Sequence, residues 1–224
     1  MNDPATIAAG IRAKLAKIVV PDAEASERRR RRPGEIQAES IAAQLWEQAG
    51  VPYRHASRTI AEPDLIRQPE WSNARSQVLA IIGRGVTVCL TGTRGNGKTQ
   101  IAVEAIRSVT KQGKAALFIT AQRIFMTFRG TFDDGAKRTE LQVLESFRRP
   151  SLLVIDEIGQ RTESDWENRT FFELLNARYN DMTDTILTCN LNGTDLTANL
   201  GPSLVDRMKE GGGMIECNWP SFRA

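Results

Sequence analysis

The segment from Val86 to Thr99 constrains the fold of this chain more than any other. An apolar, β-branched run leads into eight residues that match G-x-x-x-x-G-K-[ST]: Gly92, Thr93, Arg94, Gly95, Asn96, Gly97, Lys98 and Thr99. Glycines let the backbone turn tightly and bring its N–H groups onto phosphate oxygens, and a helix beginning near Lys98 adds the positive end of its dipole. The sequence therefore predicts a loop that binds nucleotide phosphates.

Side chains of this loop complete the predicted nucleotide contacts. Lys98 can reach the outer phosphates, the Thr99 hydroxyl can ligate Mg²⁺, and Gln100 follows at the start of the helix. A glycine-rich turn that matches by chance is the alternative. The context disfavours it, because an amphipathic helical pattern follows the loop: Ile101, Ala102, Ala105, Ile106 and Val109.

A second motif lies downstream, where a short apolar run over residues 152–155 ends in Asp156 and Glu157. After such a strand, Asp156 is the candidate partner of Mg²⁺, and Glu157 suits the orientation of an attacking water. A solvated turn is the alternative interpretation, which the phosphate loop makes less favourable. Because a water nucleophile needs a base beside it, the pair favours a hydrolase over a kinase.

Two later polar residues extend the candidate site. Asn190 follows an apolar run, and the carboxyl ends of parallel strands line the ligand crevice of such sheets. Asparagine is also a common turn former, so this signal is weak alone. Arg207 lies on a helical pattern over residues 203–208. It is either a surface ion-pair partner or a residue that reaches the nucleotide of a neighbouring subunit.

Alternating apolar runs and helical patterns predict a mostly parallel sheet covered on both faces. The expected strands span residues 86–91, 115–120, 152–156, 185–190 and 213–218. The expected helices between them run to about residue 112 and span 121–130, 138–148, 166–180 and 203–210. The fold class is α/β, with a small helical N-terminal segment.

The first 60 residues differ from the rest of the chain in charge. The net charge of +3 comes from this part, and much of it is one run from Arg28 to Arg32, which is either a solvated linker or a phosphate contact. Amphipathic stripes cover residues 5–19 and 38–49, and the pattern alone fits packing on each other or on the main domain as well as it fits binding to a partner. We expect a partner-binding segment at 1–49, a connector with an entry helix at 50–84, and a nucleotide-binding domain at 85–224.

Composition indicates a cytoplasmic protein. A hydrophobic content of 41% supports a sizeable core, no apolar run approaches the length of a membrane span, and the N-terminal residues lack a secretory pattern. Cys89, Cys189 and Cys217 fall in strand-like runs without metal spacing. They are expected to be reduced and buried.

Residues 121–137 mix basic and aromatic side chains: Arg123, Phe125, Phe128, Arg129, Phe132 and Lys137. Such a mixture suits single-stranded nucleic acid, through phosphate contacts and base stacking. The aromatic residues fit the buried face of a helix equally well.

The order of phosphate loop, Asp-Glu strand, strand-end Asn and late Arg resembles the AAA+ ATPases. The segments VPYRHAS, LLVIDEIGQRTES, ILTCNLN, SLVDRM and CNWPSFR are similar to the DnaC/IstB-like replicative helicase loaders. The resemblance covers roughly residues 50–222. It implies an AAA+ core without a helical lid, whose cofactors are ATP and Mg²⁺.

The resemblance also implies roles for single residues. Lys98 and Thr99 hold phosphates and Mg²⁺, Asp156 is a Mg²⁺ partner, and Glu157 is the catalytic base. Asn190 is the polar sensor, and Arg207 acts in trans within a self-associated assembly. In this family the region matching residues 121–137 handles single-stranded DNA, which favours the DNA interpretation of that segment.

Three functions are consistent with these features. The first is an ATP-hydrolysing loader that binds a hexameric replicative helicase through residues 1–49 and single-stranded DNA through residues 121–137. The second is an IstB-like transposition helper that acts on duplex DNA with a transposase. The third is a nucleotide-dependent adaptor without significant turnover, which the intact Glu157 disfavours.

Overall fold

The computed structural model describes residues 33–58, 68–133, 135–161, 164–190, 196–197 and 200–222. The predicted helix at 5–19 and the arginine run lie outside these residues. The chain divides into two compact units, residues 1–38 and residues 39–224. The second unit therefore starts before the boundary predicted after residue 49.

The described strands are β1 (Thr87–Thr91), β2 (Ala116–Thr120), β3 (Leu152–Asp156), β4 (Asp184–Thr188) and β5 (Gly213–Glu216). The α-helices before β2 are α1 (Pro33–Gln48), α2 (Tyr53–Ala56), α3 (Pro69–Ile81) and α4 (Lys98–Lys111). Those after β2 are α5 (Ala121–Arg129), α6 (Glu140–Arg148), α7 (Asp165–Asn180) and α8 (Pro202–Gly211), and a 3₁₀ turn spans Ile158–Gln160. Strands and helices alternate from β1 onward, as predicted.

The described strands form one sheet in the order β2-β3-β4-β1-β5, and every neighbouring pair is parallel. The predicted α/β class is confirmed. After β1 the chain crosses to the far edge at β2 and returns through β3 and β4, which places the carboxyl ends of β3, β4 and β1 side by side. Ligands of open parallel sheets bind at such ends.

The sheet is covered on both faces because side chains alternate along each strand. Val88 and Leu90 belong to one apolar cluster, with residues of α3 and α4, while Cys89 belongs to a second, with residues of α5, α6, α7 and α8. Every residue of β1, β3 and β4 is buried. These strands therefore form a rigid base for the loops at their ends.

The end of α1 packs on the nucleotide-binding domain. Ala49 is fully buried, and its carbonyl accepts a hydrogen bond of 2.7 Å from the N–H of Phe118 at β2. Ala42, Leu45 and Trp46 are partly buried. Gly50, with φ +70°, follows the helix as the predicted capping glycine.

The three cysteines are buried and form no disulfide, as predicted. Burial raises the pKa of Cys217 to about 12 and that of Cys89 well above its ordinary value. Both thiols therefore stay protonated at neutral pH. Within the described ranges, no helix has the length and apolar character that crossing a bilayer requires.

Candidate nucleotide-binding site

A cavity opens at the carboxyl ends of β1, β3 and β4. Its floor is the loop between β1 and α4 together with the first residues of α4. The remaining described residues that line it are His55, Arg58, Asp156, Glu157, Thr188, Asn190 and Phe222. The structure thus brings nearly all the predicted site residues to one place.

The three glycines of the loop all have backbone conformations that residues with a side chain rarely adopt. Gly92, Gly95 and Gly97 have φ values of +126°, +91° and +79°. At Gly92 a Cβ atom would lie 2.4 Å from the carbonyl oxygen of Cys217, so this position also lacks room for a side chain. The backbone conformation of the loop therefore favours glycine at these three positions of the motif.

Lys98 lies inside the loop and is 6% exposed. Its Nζ donates to the carbonyl oxygens of Gly92 (2.8 Å) and Thr93 (2.6 Å) and to Oδ1 of Asn96 (3.0 Å). These oxygens hold the ammonium group at the centre of the loop, at the position from which it would contact phosphate oxygens.

Thr99 and Asp156 meet across the cavity. Thr99 Oγ1 donates to Asp156 Oδ1 over 3.1 Å, and Thr188 Oγ1 at the end of β4 donates to the same oxygen. Asp156 is 6% exposed. Hydroxyl and carboxylate oxygens are ligands that Mg²⁺ prefers, so this pair fits the predicted metal contacts.

Glu157 differs from Asp156 in conformation and exposure. Its backbone is left-handed, with φ 59° and ψ 47°, and its N–H donates to Thr188 Oγ1 over 3.0 Å. A left-handed conformation is uncommon for a residue other than glycine. It turns the exposed Glu157 side chain away from the direction that the strand would give it, while the residue still lines the cavity.

The structure separates the two later polar residues. Asn190 lies two residues beyond the end of β4 and lines the cavity. Arg207, on α8, is not among the described residues that line it. Its guanidinium donates to Oδ1 of Asn176 and lies 5.5 Å from the ring centroids of Phe172 and Tyr179, all on α7.

Sequence reasoning assigned no site role to His55, Arg58, Thr188 or Phe222. The connector is held against α4 by two hydrogen bonds, from Gln100 Nε2 to the Arg58 carbonyl (2.7 Å) and from Arg107 to the Ala56 carbonyl. The buried Gln100 amide thus holds the connector as well as lining the cavity. Only the motif resemblances VPYRHAS and CNWPSFR pointed to the first and last of these segments.

The structure corrects part of the DNA prediction for residues 121–137. Phe125 and Phe128 are 2% and 1% exposed and pack in the core, so the alternative interpretation as a buried helix face holds for them. Arg129 forms a 2.9 Å ion pair with Glu167. Phe132 is 58% exposed, and its ring lies 5.5 Å from that of Trp166, a residue that the sequence did not single out.

Comparison with known protein families agrees with this geometry. The sequence profile of the "IstB-like ATP binding protein" family matches residues 57–223. The chain belongs to this family, and its fold is that of the AAA+ phosphate-loop domains.

Several curated relatives are named as replicative helicase loaders. The chain is 31% identical over 154 residues to "Replicative helicase loader DnaC" of Escherichia coli (strain K12), a match that covers 68% of this chain and 62% of that protein. The DnaC of Buchnera aphidicola subsp. Acyrthosiphon pisum is 29% identical over 134 residues, covering 59% of this chain and 54% of that protein. The matched region thus spans less than two thirds of these relatives.

Solved structures share the fold. "Crystal structure of the DnaC helicase loader" aligns with a TM-score of 0.60 at 20% identity, covering 74% of this chain and 99% of that chain. "Crystal Structure of the DnaI" aligns with a TM-score of 0.57 at 17% identity, covering 78% of this chain and 95% of that chain. "Structure of AMPPCP-bound DnaA from Aquifex aeolicus" aligns with a TM-score of 0.55 at 17% identity, covering 75% of this chain and 50% of that chain.

Proposed function

We propose that this protein hydrolyses ATP at the cavity beside β1, β3 and β4. One observation carries the proposal. The loop that would bind phosphates, the Thr99–Asp156 pair and the exposed carboxylate of Glu157 all line a single cavity. An adaptor that only binds nucleotide needs no carboxylate beside the terminal phosphate.

The chain's own groups supply the chemistry. Loop N–H groups and Lys98 bind the phosphates and offset their charge. Glu157 takes a proton from a water molecule, whose oxygen attacks the terminal phosphorus while the bond to the bridging oxygen breaks and ADP leaves. Asn190, at the cavity rim, orients the water or the terminal phosphate.

Mg²⁺ fits the same site. Thr99 and Asp156 present two hard oxygen atoms 3.1 Å apart, and the Thr188 hydroxyl fixes the orientation of the carboxylate. When bound, the ion neutralises charge on the outer phosphates. The requirement for Mg²⁺ is tested by removing it with a chelator and restoring it in the ATPase assay.

We further propose that this ATPase loads a hexameric replicative helicase, with residues 1–49 as the helicase contact. The sequence relationship to the DnaC loaders supports this role. The helicase contact lies mostly outside the described residues, so amphipathic pattern alone supports it. The compact unit from Glu39 onward suggests where to cut, because the buried Ala49 must stay with the core.

Phe132 and Trp166 support a contact with single-stranded DNA. Phe132 is exposed, and basic side chains at Arg123 and Lys137 are also exposed. Stacking of a base on an aromatic ring contributes about 1–3 kcal/mol. Phe132→Ala should therefore weaken binding of a labelled oligonucleotide about tenfold, while Met126→Ala, another exposed apolar residue of the segment, should not.

Arg207 is proposed to act on the nucleotide of a neighbouring copy. Its position outside its own chain's cavity is consistent with action in trans, and its contacts with α7 give it a fixed starting position. Arg207→Ala should leave ATP affinity unchanged and lower ATPase activity at concentrations where chains associate. Mixing it with Lys98→Met chains should restore part of that activity, and a complete failure to do so argues against the trans role.

A role as a transposition helper is the second candidate, favoured by the family profile, which carries the IstB name. Co-elution decides between the two. The full chain, and the chain without residues 1–38, are tested with the replicative helicase and with a transposase of the same cell. We expect the full chain to bind the helicase and the shortened chain to lose it while still binding ATP. Selective capture of the transposase favours the second candidate.

A further inference from the structure

Three consecutive carbonyl groups of the phosphate loop are hydrogen-bonded from outside the loop. The Gly95 carbonyl accepts from the backbone N–H of Phe222 (2.9 Å). The Asn96 carbonyl accepts from the indole Nε1–H of Trp219 (2.8 Å). The Gly97 carbonyl accepts from the indole Nε1–H of Trp71 (3.2 Å), besides the α4 hydrogen bond from Ile101.

Because of the geometry of a peptide group, these three hydrogen bonds also fix the direction of the loop's N–H groups. The described peptide bonds are all trans, so the C=O and N–H of each peptide point in opposite directions. Holding the carbonyls of Gly95, Asn96 and Gly97 outward therefore directs the N–H groups of Asn96, Gly97 and Lys98 to the other side. That side is the cavity, which residues 94–100 line. Converging N–H groups of this kind bind anions.

The donors are fixed by their surroundings. Trp71 and Trp219 are 4% and 7% exposed and belong to the same apolar cluster. The rings of Trp71 and Phe222 pack edge to face, with centroids 6.4 Å apart. Asn96 is fully buried, and its side-chain amide donates to the carbonyl of Cys217. Burial in this cluster thus gives each indole N–H a set direction.

We propose that Trp71 and Trp219 are positioning residues for ATP: their indole N–H groups hold the Gly97 and Asn96 carbonyls outward and keep the loop's N–H groups directed at the phosphates. The proposal rests on ATP binding at this cavity. Trp219 acts from a segment 123 residues away in sequence, and Trp71 from α3. The loop's phosphate-binding geometry is therefore set by the fold as well as by its glycines.

Trp71→Phe and Trp219→Phe test this, since phenylalanine keeps the ring and removes the N–H. Each variant should raise the KM for ATP about fivefold, and the double variant more, because each loses one hydrogen bond that orients a phosphate-binding peptide. The kcat should stay within about twofold, since neither tryptophan is among the described residues that line the cavity with Glu157. Trp46→Phe, which alters a partly buried indole packed against the same cluster, is the matched control.

The split between KM and kcat separates positioning from general support. A purely structural role would lower the active fraction, and hence kcat, at unchanged KM. That result, or an equal rise of KM in Trp46→Phe, overturns the proposal. If the native chain neither binds nor hydrolyses ATP, the proposed function fails instead.

A second measurement covers variants that do not fold. In the unaltered protein labelled with ¹⁵N, adding ATP and Mg²⁺ should shift the indole Nε1–H resonances of Trp71 and Trp219. Hydrogen exchange at these two groups should slow by more than at Trp46. The reason is that bound phosphates restrict the motion of the loop, whose carbonyl groups accept hydrogen bonds from the two indoles. No difference from Trp46 in either respect also overturns the proposal.

Discussion

The two ends of the parallel sheet each bury a basic side chain, but they use it differently. At the amino ends, Arg178 is fully buried beside β3 and β4. At the carboxyl ends, Lys98 is 6% exposed beside β1 and β3. Burial of a charge is costly at both ends unless hydrogen bonds compensate for it.

At the amino ends, acceptor groups of the chain itself surround the buried cation. The Arg178 guanidinium donates to the carbonyls of Phe147 (2.9 Å), Arg148 (2.8 Å), Pro150 (3.0 Å) and Asp184, and to Oγ1 of Thr185 (2.9 Å). Burial lowers its pKa to about 10, so it stays charged at neutral pH. The cation therefore joins loops and strand ends that would otherwise leave buried carbonyls unsatisfied.

Asp184 completes this network from the start of β4. Its carboxylate accepts the backbone N–H groups of Gly83 (2.7 Å), Gly85 (3.0 Å) and Val86 (3.1 Å), just before β1.

At the carboxyl ends, Lys98, Thr99 and Asp156 surround a cavity instead of filling it. Lys98 is held by oxygens of its own loop, and Asp156 by two hydroxyl groups. A buried polar group thus indicates function where it lines open space, and stability where the chain's own backbone encloses it. Paired substitutions at the two ends test this distinction.

The largest effect is expected at the amino ends. Arg178→Met should lower the free energy of unfolding by about 3–5 kcal/mol, because it leaves several buried acceptors without their donor. Lys98→Met should lower it by less, about 1–2 kcal/mol, because only three oxygens of one loop lose their donor. Urea denaturation of both variants without nucleotide measures the difference. Equal losses would contradict the distinction between the two ends.

Glu157→Gln should have the largest effect on catalysis. Loss of a general base slows proton transfer by about a hundredfold or more, while the amide still fits the same space. ATP hydrolysis should fall by that factor, and ATP affinity should hold. Phosphate release and nucleotide titration measure the two quantities. Glu173→Gln on α7, outside the cavity, is the matched control, and similar rates in both variants would remove Glu157 from the mechanism.

Lys98→Met should then weaken ATP binding by about tenfold to a hundredfold, the range for a lost hydrogen bond to a charged group. The loop keeps its glycines, so the residual affinity comes from its N–H groups. Titration with a fluorescent nucleotide measures this. Lys111→Met, at the exposed end of the same helix, should bind normally. Unchanged affinity in Lys98→Met would argue against a phosphate role.

The smallest effects come from two threonines of β4, one at each end. Thr188→Val removes the hydroxyl that donates to Asp156 and accepts from the Glu157 N–H, and should slow ATP hydrolysis about fivefold. Thr185→Val removes a partner of Arg178 and should cost about 1 kcal/mol of stability with hydrolysis unchanged. Steady-state ATPase assays and urea denaturation on both variants check this. If the effects were exchanged, the two ends would not differ as described.

Local pattern was enough to predict most elements. Strands β2, β3 and β4 lie within one or two residues of the predicted ranges, because short apolar runs flanked by turn residues are a local property. The phosphate loop was predicted for the same reason, since its glycines, Lys98 and Thr99 are adjacent in sequence. The roles of those residues remain predictions.

The features that the sequence did not predict depend on contacts between segments far apart in the chain. Phe125 and Phe128 form an aromatic face of α5, and only packing against the sheet makes that face internal. Trp219 and Phe222 reach the loop from a distant segment, and Thr188 reaches Asp156 because β3 and β4 are neighbours. The spacing of residues within one segment does not predict such long-range contacts.

The sequence by itself therefore determined the α/β class, the phosphate loop and the identity of its candidate catalytic residues, because each depends on residues within one strand, turn or helix. The tertiary structure decided the strand order, the side of the sheet on which the cavity opens, and the buried donors that orient the loop from behind. Those depend on contacts between segments far apart in the chain, whose energies arise only when the whole sheet forms.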